Sequence, residues 1–209
     1  MASKILVDEI SPQTGTDIVI TATKKISGAN TQYKVTGGAS GQVLKNDGSD
    51  GLSWAADSAG LFSSYAVIAD QKTAGTQGGT STAGSWQTRD INYTVFDPDS
   101  IVTIAANIFT IAAGNYFIKW MTTAYKGHSQ QNRLSINGGA VVGVGGIGRT
   151  ANADEPNINM IGMARVTPVT STGYVVEQKT DTTATNGFGS CANLGEPEMY
   201  AWIEIYKET

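Results

Sequence analysis

The sequence holds one cysteine, Cys191, and one histidine, His128. A single thiol closes no internal disulfide, and a small apolar residue in a core is its ordinary role. Without His/Cys clusters, thiolate and imidazole metal sites are excluded. Ser-His-Asp or Cys-His catalysis would have to run through His128, and its surroundings, "YKGHSQQNR", read as a polar turn with a solvated side chain. No catalytic, metal-binding or cofactor-binding residue is expected, and the chain reads as a non-enzyme.

Charge is also scarce. Asp, Glu, Lys and Arg make up 15% of the 209 residues, against about 25% in ordinary soluble domains. Thr, Ser, Asn, Gln and Gly must carry the surface, which suits β-structure and an extracellular or particle-bound setting. The net charge is −4 with no basic run, so a nucleic-acid backbone finds no electrostatic footprint. Long apolar runs are missing too. The N-terminal "MASKILVDEI" has three apolar residues in a row, short of a signal peptide's apolar stretch. The stretch "IVTIAANIFTIAAGNYFIKWM" (101–121) is long enough to span a bilayer, but Asn107, Gly114, Asn115 and Lys119 interrupt it. "AAGN" reads there as a turn, so a buried β-hairpin is expected and no membrane insertion.

Glycine, by contrast, is abundant. In "VVGVGGIGRT" (141–150), Gly143, Gly145 and Gly148 satisfy G-x-G-x-x-G. That fingerprint binds a dinucleotide only after a strand, at the start of a helix, within a βαβ unit. Here "RTANADEPNINM" follows, with Pro156 and no helical period, so no helix N-terminus meets a phosphate. The stretch reads instead as a strand leaving a hairpin and entering a long loop, 143–157, where glycines let backbones pass closely. Carboxylate pairs occur at Asp97/Asp99 and Asp154/Glu155, but "DPDS" is a turn signal and "NADEPN" a loop. "NDGSDG" lacks the spaced acidic ligands and closing Glu of a calcium loop. Asn92-Tyr93-Thr94 is a formal glycosylation sequon, idle in a chain without a signal peptide.

The aromatic residues divide the chain. Of 17 Phe, Trp and Tyr residues, Tyr33 and Trp54 precede position 61 and the remaining 15 follow it. The large core therefore belongs to residues 61–209. Residues 1–60 read as an arm of short β-prone pieces, with "QVLK" and "LSW" set as a small hairpin turning at 47–50. Such an arm cannot bury enough surface to fold alone. From position 61 nearly every element reads as strand: "SYAVIAD", "SWQTRDINYTVFD", "SIVTIAANIFTIAA", "GNYFIKWMTTAY", "NRLSI", "AVVGVG", "NINMIGMARVTPV", "GYVVEQKT" and "EMYAWIEIYKE". Asn137-Gly138-Gly139 joins two of them as a hairpin turn. Turns at close spacing without a long helix predict an all-β sandwich or jelly roll.

Two strands are apolar on both faces. In "NYFIKWM", Tyr116, Ile118 and Trp120 point one way, Phe117 and Met121 the other, around Lys119. In "MYAWIEIYK", Met199, Ala201, Ile203 and Ile205 share one face and Tyr200, Trp202 and Tyr206 the other. A strand of a monomeric sandwich shows one polar face, so a second buried surface, a subunit interface, is expected. Tyr116, Trp120, Tyr200, Trp202 and Tyr206 are the candidates for trimer interface or core.

Two resemblances join these readings. "ASKILVDEISPQTGTDIVIT" and "ASGQVLKNDGSDGLSWA" resemble arm segments of tailed-bacteriophage fibre and decoration proteins. "YAVIADQKTAGTQGG", "SWQTRDIN", "FTIAAGNYFIKW" and "YAWIEIYK" resemble the C1q/TNF-like jelly-roll heads attached to such arms, with Gly114, Tyr116 and Phe117 set one residue tighter than the family's central strand. The resemblance implies an all-β C1q/TNF-like jelly-roll head (61–209) behind an extended β-rich arm (1–60). It also implies a homotrimer on the virion surface, assembled in the host cytoplasm. Ile5, Leu6, Val7, Ile18, Val19 and Ile20 are the candidate particle anchors. The implied partner is the major capsid protein or another virion structural protein, in a decoration or cement role. A short tail fibre that binds a host-surface glycan or protein is the alternative.

Overall fold

A computed structural model describes residues 38–46, 52–56, 60–149 and 157–209. The chain divides into two compact units, Met1–Asp57 and Ser58–Thr209. In the first, β1 (Gln42–Asn46) and β2 (Leu52–Ala56) pair antiparallel, with Leu44 opposite Trp54. Gly38 lies against the Trp54 indole so closely that a β-carbon there would sit 2.6 Å from the ring. The anchor candidates Ile5, Leu6, Val7, Ile18, Val19 and Ile20 lie outside the described residues, as do Asp154 and Glu155.

The second unit is all β. Its early strands are β3 (Phe62–Lys72), β4 (Gln87–Thr88), β5 (Tyr93–Phe96), β6 (Val102–Ala105) and β7 (Ile108–Ile111). Then come β8 (Tyr116–Ala124), β9 (Ser129–Ile136), β10 (Val141–Arg149), β11 (Ile158–Val166), β12 (Thr172–Thr180) and β13 (Glu198–Glu208). One sheet runs β11-β8-β13-β3-β5 and the other β10-β9-β12-β7-β6, with β4 also on β12. Every pairing is antiparallel. The chain repeatedly crosses from sheet to sheet, so strands far apart in sequence become neighbours, as in a jelly roll. The unit is thus an all-β sandwich of two antiparallel sheets with jelly-roll crossovers.

The core follows from the two-residue period of a strand. Ala66 and Ile68 of β3, Tyr116, Ile118 and Trp120 of β8, and Ile203 and Ile205 of β13 point inward from one sheet. Phe109, Ile111, Leu134, Tyr174 and Val176 meet them from the other. At one end of the sandwich the filling turns polar around Arg89, which is fully buried. Its guanidinium donates to the carbonyls of Thr123, Phe188 and Tyr200 and to Gln178 Oε1 at 2.9–3.2 Å. It also lies 4.4 Å from the Phe188 ring centroid and 3.8 Å from Asp70. One side chain thus fastens β8, β12, β13 and the loop after β12.

Three expectations are corrected. The stretch 101–121 is not one hairpin. It holds β6 and β7, which turn on Ala106 and Asn107 at φ 50° and 65°, and then β8, which leaves for the other sheet. "AAGN" is a turn between sheets. Second, 143–149 is not loop, because β10 continues to Arg149 against β9 through two register shifts. Its glycines serve close packing of the two sheet edges. A β-carbon at Gly143 would lie 2.8 Å from both Trp120 and Ala164, and one at Gly162 of β11 would overlap the Trp120 indole. Third, Met199 and Tyr200 break the alternation of β13, because a bulge separates Met199 from Ala201. Tyr200 is turned inward beneath the backbone of Gly78 and Gly189, and its hydroxyl donates to the Thr76 carbonyl at 2.7 Å.

Candidate assembly surface

The register of the first sheet places outward side chains in rows. One row reads Ile161, Met121, Trp202, Ala69, Tyr93 across β11, β8, β13, β3 and β5. The next reads Met163, Lys119, Glu204, Val67, Phe96, and the third Arg165, Phe117, Tyr206, Tyr65. Five strands make a face roughly 19 Å wide. Much of it is open: Trp202 is 39% exposed, Tyr65 45%, Ile161 51% and Met163 58%. Exposed apolar surface of this breadth marks an interaction site in a soluble protein.

Aromatic rings order this face. Tyr65 stacks on Phe96 at 4.8 Å and on Tyr206 at 6.0 Å, and Tyr206 also meets Phe62 at 5.0 Å and Phe117 at 6.3 Å. Such offset pairs hold each ring in one orientation, so the surface is already shaped. In its middle Lys119 Nζ reaches Glu204 Oε1 at 3.1 Å, and the Tyr206 hydroxyl donates to Glu204 Oε2 at 2.9 Å. Accepting that bond, the Glu204 carboxylate holds the Tyr206 phenol above its usual range. At the margin Arg165 pairs with Glu208, which keeps the Glu208 carboxyl below the ordinary carboxylate range.

The outward side of the other sheet is different. Arg133 donates to Glu177 at 2.7 Å and lies 4.1 Å from the Trp86 ring, with Gln131 and Lys179 in the neighbouring row. The exposed large apolar residues of its strands lie on β10: Val141, Val144 and Ile147. Beside them a groove of about 520 Å³ is lined by Ala83, Gln131, Ile147, Lys179 and Asp181, among others.

Of the residues singled out by the sequence, Trp202 and Tyr206 stand on the aromatic face, while Tyr116, Trp120 and Tyr200 are buried within the unit. Tyr65, Val67, Phe96, Ile161 and Met163 were not among them. The alternation of "SYAVIAD" carries Tyr65 and Val67 opposite Ala66 and Ile68, and was the available signal.

The chemically suggestive residues have structural partners. His128 Nδ1 pairs with Asp181 Oδ2 at 2.9 Å. Asp97 accepts the N–H groups of Ile101 and Val102 at its turn, and Asp99 accepts from Ser64 Oγ. Cys191 is held through Gln77, which donates to its Sγ at 3.0 Å and accepts its N–H at 2.9 Å. Among the described residues no group of three or more His, Cys, Asp or Glu is arranged to hold a metal ion.

No family model matches the sequence, and no curated protein matches it. Among solved structures, the chain is similar to murine APRIL (crystal structure at pH 8.0). That similarity has a TM-score of 0.46 and 9% identity, over 68% of this chain and 98% of that one. It is also similar to the PRD1 vertex protein P5, with a TM-score of 0.43 and 15% identity, over 72% of this chain and 100% of that one.

Proposed function

We propose that the chain is a non-enzymatic bacteriophage virion protein, a homotrimeric surface knob anchored by its N-terminal arm, in a capsid decoration or cement role. The aromatic outer face of the β11-β8-β13-β3-β5 sheet carries this reading, because it leaves a soluble protein with a broad apolar surface to cover. A second copy is the fitting cover. The apolar β10 edge of the other sheet, with Val141, Val144 and Ile147 exposed, is unlike the aromatic face. Two unlike surfaces on one chain allow a head-to-tail contact, which gives a ring where the rotation between copies closes. A ring of three is what the resemblance of "FTIAAGNYFIKW" and "YAWIEIYK" to C1q/TNF-like heads implies. The virion setting rests on the likeness of the arm segments to phage arms. Residues 1–60 carry no shaft repeat of fixed period, which favours a shell-bound role over a projecting fibre.

The groove beside Ile147, Lys179 and Asp181 supports a second reading, a short tail fibre whose head binds a host-surface glycan or protein. Copy number separates the two. Quantitative gel analysis of purified particles should give hundreds of chains for a cement protein and a handful for a fibre. Deleting residues 2–20 should leave a soluble trimer that no longer joins particles, and retention on particles would remove the arm as the anchor.

A further inference from the structure

We infer that Lys119 and Glu204 fix the register of the subunit interface, so that copies close into one assembly and no other. The inference rests on the proposed assembly through the aromatic face. Among the outward positions of the three rows, this pair is the charged exception in the middle, and Arg165 lies at the margin. Apolar side chains flank it above (Met121, Trp202) and below (Phe117, Tyr206). The face alone is a poor discriminator, because rings and methyl groups tolerate sliding. An ion pair within it does not.

Burial supplies the selectivity. The Glu204 side chain is 20% exposed and the Lys119 side chain 36% in the single chain, and a covering copy removes that remaining water. Both Glu204 oxygens already have donors, Lys119 at 3.1 and 3.4 Å and Tyr206 at 2.9 Å. An ammonium has three N–H donors, and among the described residues Lys119 has Glu204 as its one hydrogen-bond partner. In a dry interface its remaining N–H must meet an oxygen of the neighbouring copy. A misregistered copy presents a ring or methyl group there and leaves a buried donor unpaired, which is costly. A buried polar group that sets register at some cost in stability is an established device in helical assemblies, and here it would act on a sheet face.

The test compares the full-length protein with Lys119→Met, Glu204→Gln, and the double variant Lys119→Met/Glu204→Leu, by native mass spectrometry and sedimentation over a concentration series. Wild type should give one closed species. Each single variant should weaken assembly at least tenfold, since it strands one member of the pair. The double variant should assemble at least as tightly as wild type, but into a mixture of sizes. A double variant that forms the same single species as wild type overturns the inference, as do single variants that assemble like wild type. A wild type that stays monomeric at every concentration removes the assembly reading itself, and the inference with it. Unchanged circular dichroism and unfolding midpoints separate assembly defects from folding defects.

Discussion

At the scale of single residues, the stability of the head depends on a few polar side chains that bind backbone. Arg89 is the clearest, because its four acceptors come from both sheets and from the loop after β12. Burial lowers its pKa to about 10, against the pull of Asp70 and Asp90, so it stays charged at neutral pH. Arg89→Met should cost on the order of 3 kcal/mol in urea unfolding, from stranded carbonyls and an under-compensated Asp70. Arg89→Lys should recover little of this, because one ammonium cannot replace a planar fork. Glu198 does similar work in the other sign. It accepts the N–H groups of Asn193, Ala192 and Gly75 at 2.7, 3.1 and 3.2 Å, which holds its carboxyl below the ordinary value of 4.5. The fold thus favours the ionised form. That stabilisation is complete above the unfolded-state value and is lost as pH falls through the depressed one. The thermal midpoint of wild type should drop in this acidic window, and Glu198→Gln should start lower and depend less on pH there.

At the scale of elements, turn chemistry decides where strands end, and one turn carries strain. Ala106 and Asn107 both adopt positive φ in the β6–β7 hairpin, the conformation that favours Asn-Gly. Asn107 is suited to it and also accepts the Ile91 N–H and donates to Asp90. Ala106 is not, since its β-carbon crowds the backbone there. Ala106→Asn should raise stability by about 0.5 kcal/mol, read as a higher thermal midpoint, whereas Asn107→Ala should lower it. The same hairpin shows what the sequence made legible. Alternation located the strands and identified Ile118 and Trp120 as facing opposite Phe117 and Met121, because a strand's two-residue period is local. The Asn-Gly-Gly turn was equally readable, and Gly139 N–H does bond to the Ile136 carbonyl at 2.8 Å. The Ala-Asn turn carried no such signature. Nor did the bulges at Met199–Ala201 and Val141–Gly143, where one extra residue reverses the facing of its neighbours. That reversal took Tyr200 off the face it was expected to share with Trp202 and Tyr206 and into the interior. Close passage at Gly143 was readable from its glycine run, but not its neighbour there or at Gly162, since the crowding indole of Trp120 comes from a different strand.

At the scale of the whole molecule, two tryptophans on adjacent strands separate folding from assembly. Trp120 is fully buried between the sheets, while Trp202, in the next strand and the neighbouring row, is 39% exposed on the aromatic face. Trp120→Ala opens a cavity against the glycines of β10 and β11 and should cost about 3–5 kcal/mol of folding stability. Trp202→Ala removes a ring that the single chain leaves partly in water. Its unfolding free energy, measured at concentrations where the protein is dissociated, should change by no more than about 1 kcal/mol. In an interface, a central aromatic of this kind costs about 2 kcal/mol or more on truncation, roughly thirtyfold in affinity. Sedimentation equilibrium of Trp202→Ala should therefore show dissociation at concentrations where wild type is fully assembled, with an unchanged far-ultraviolet spectrum. If both variants lost folding stability equally while assembly stayed intact, the aromatic face would be a second wall of the protomer's own core, and the interface would have to be sought along the β10 edge.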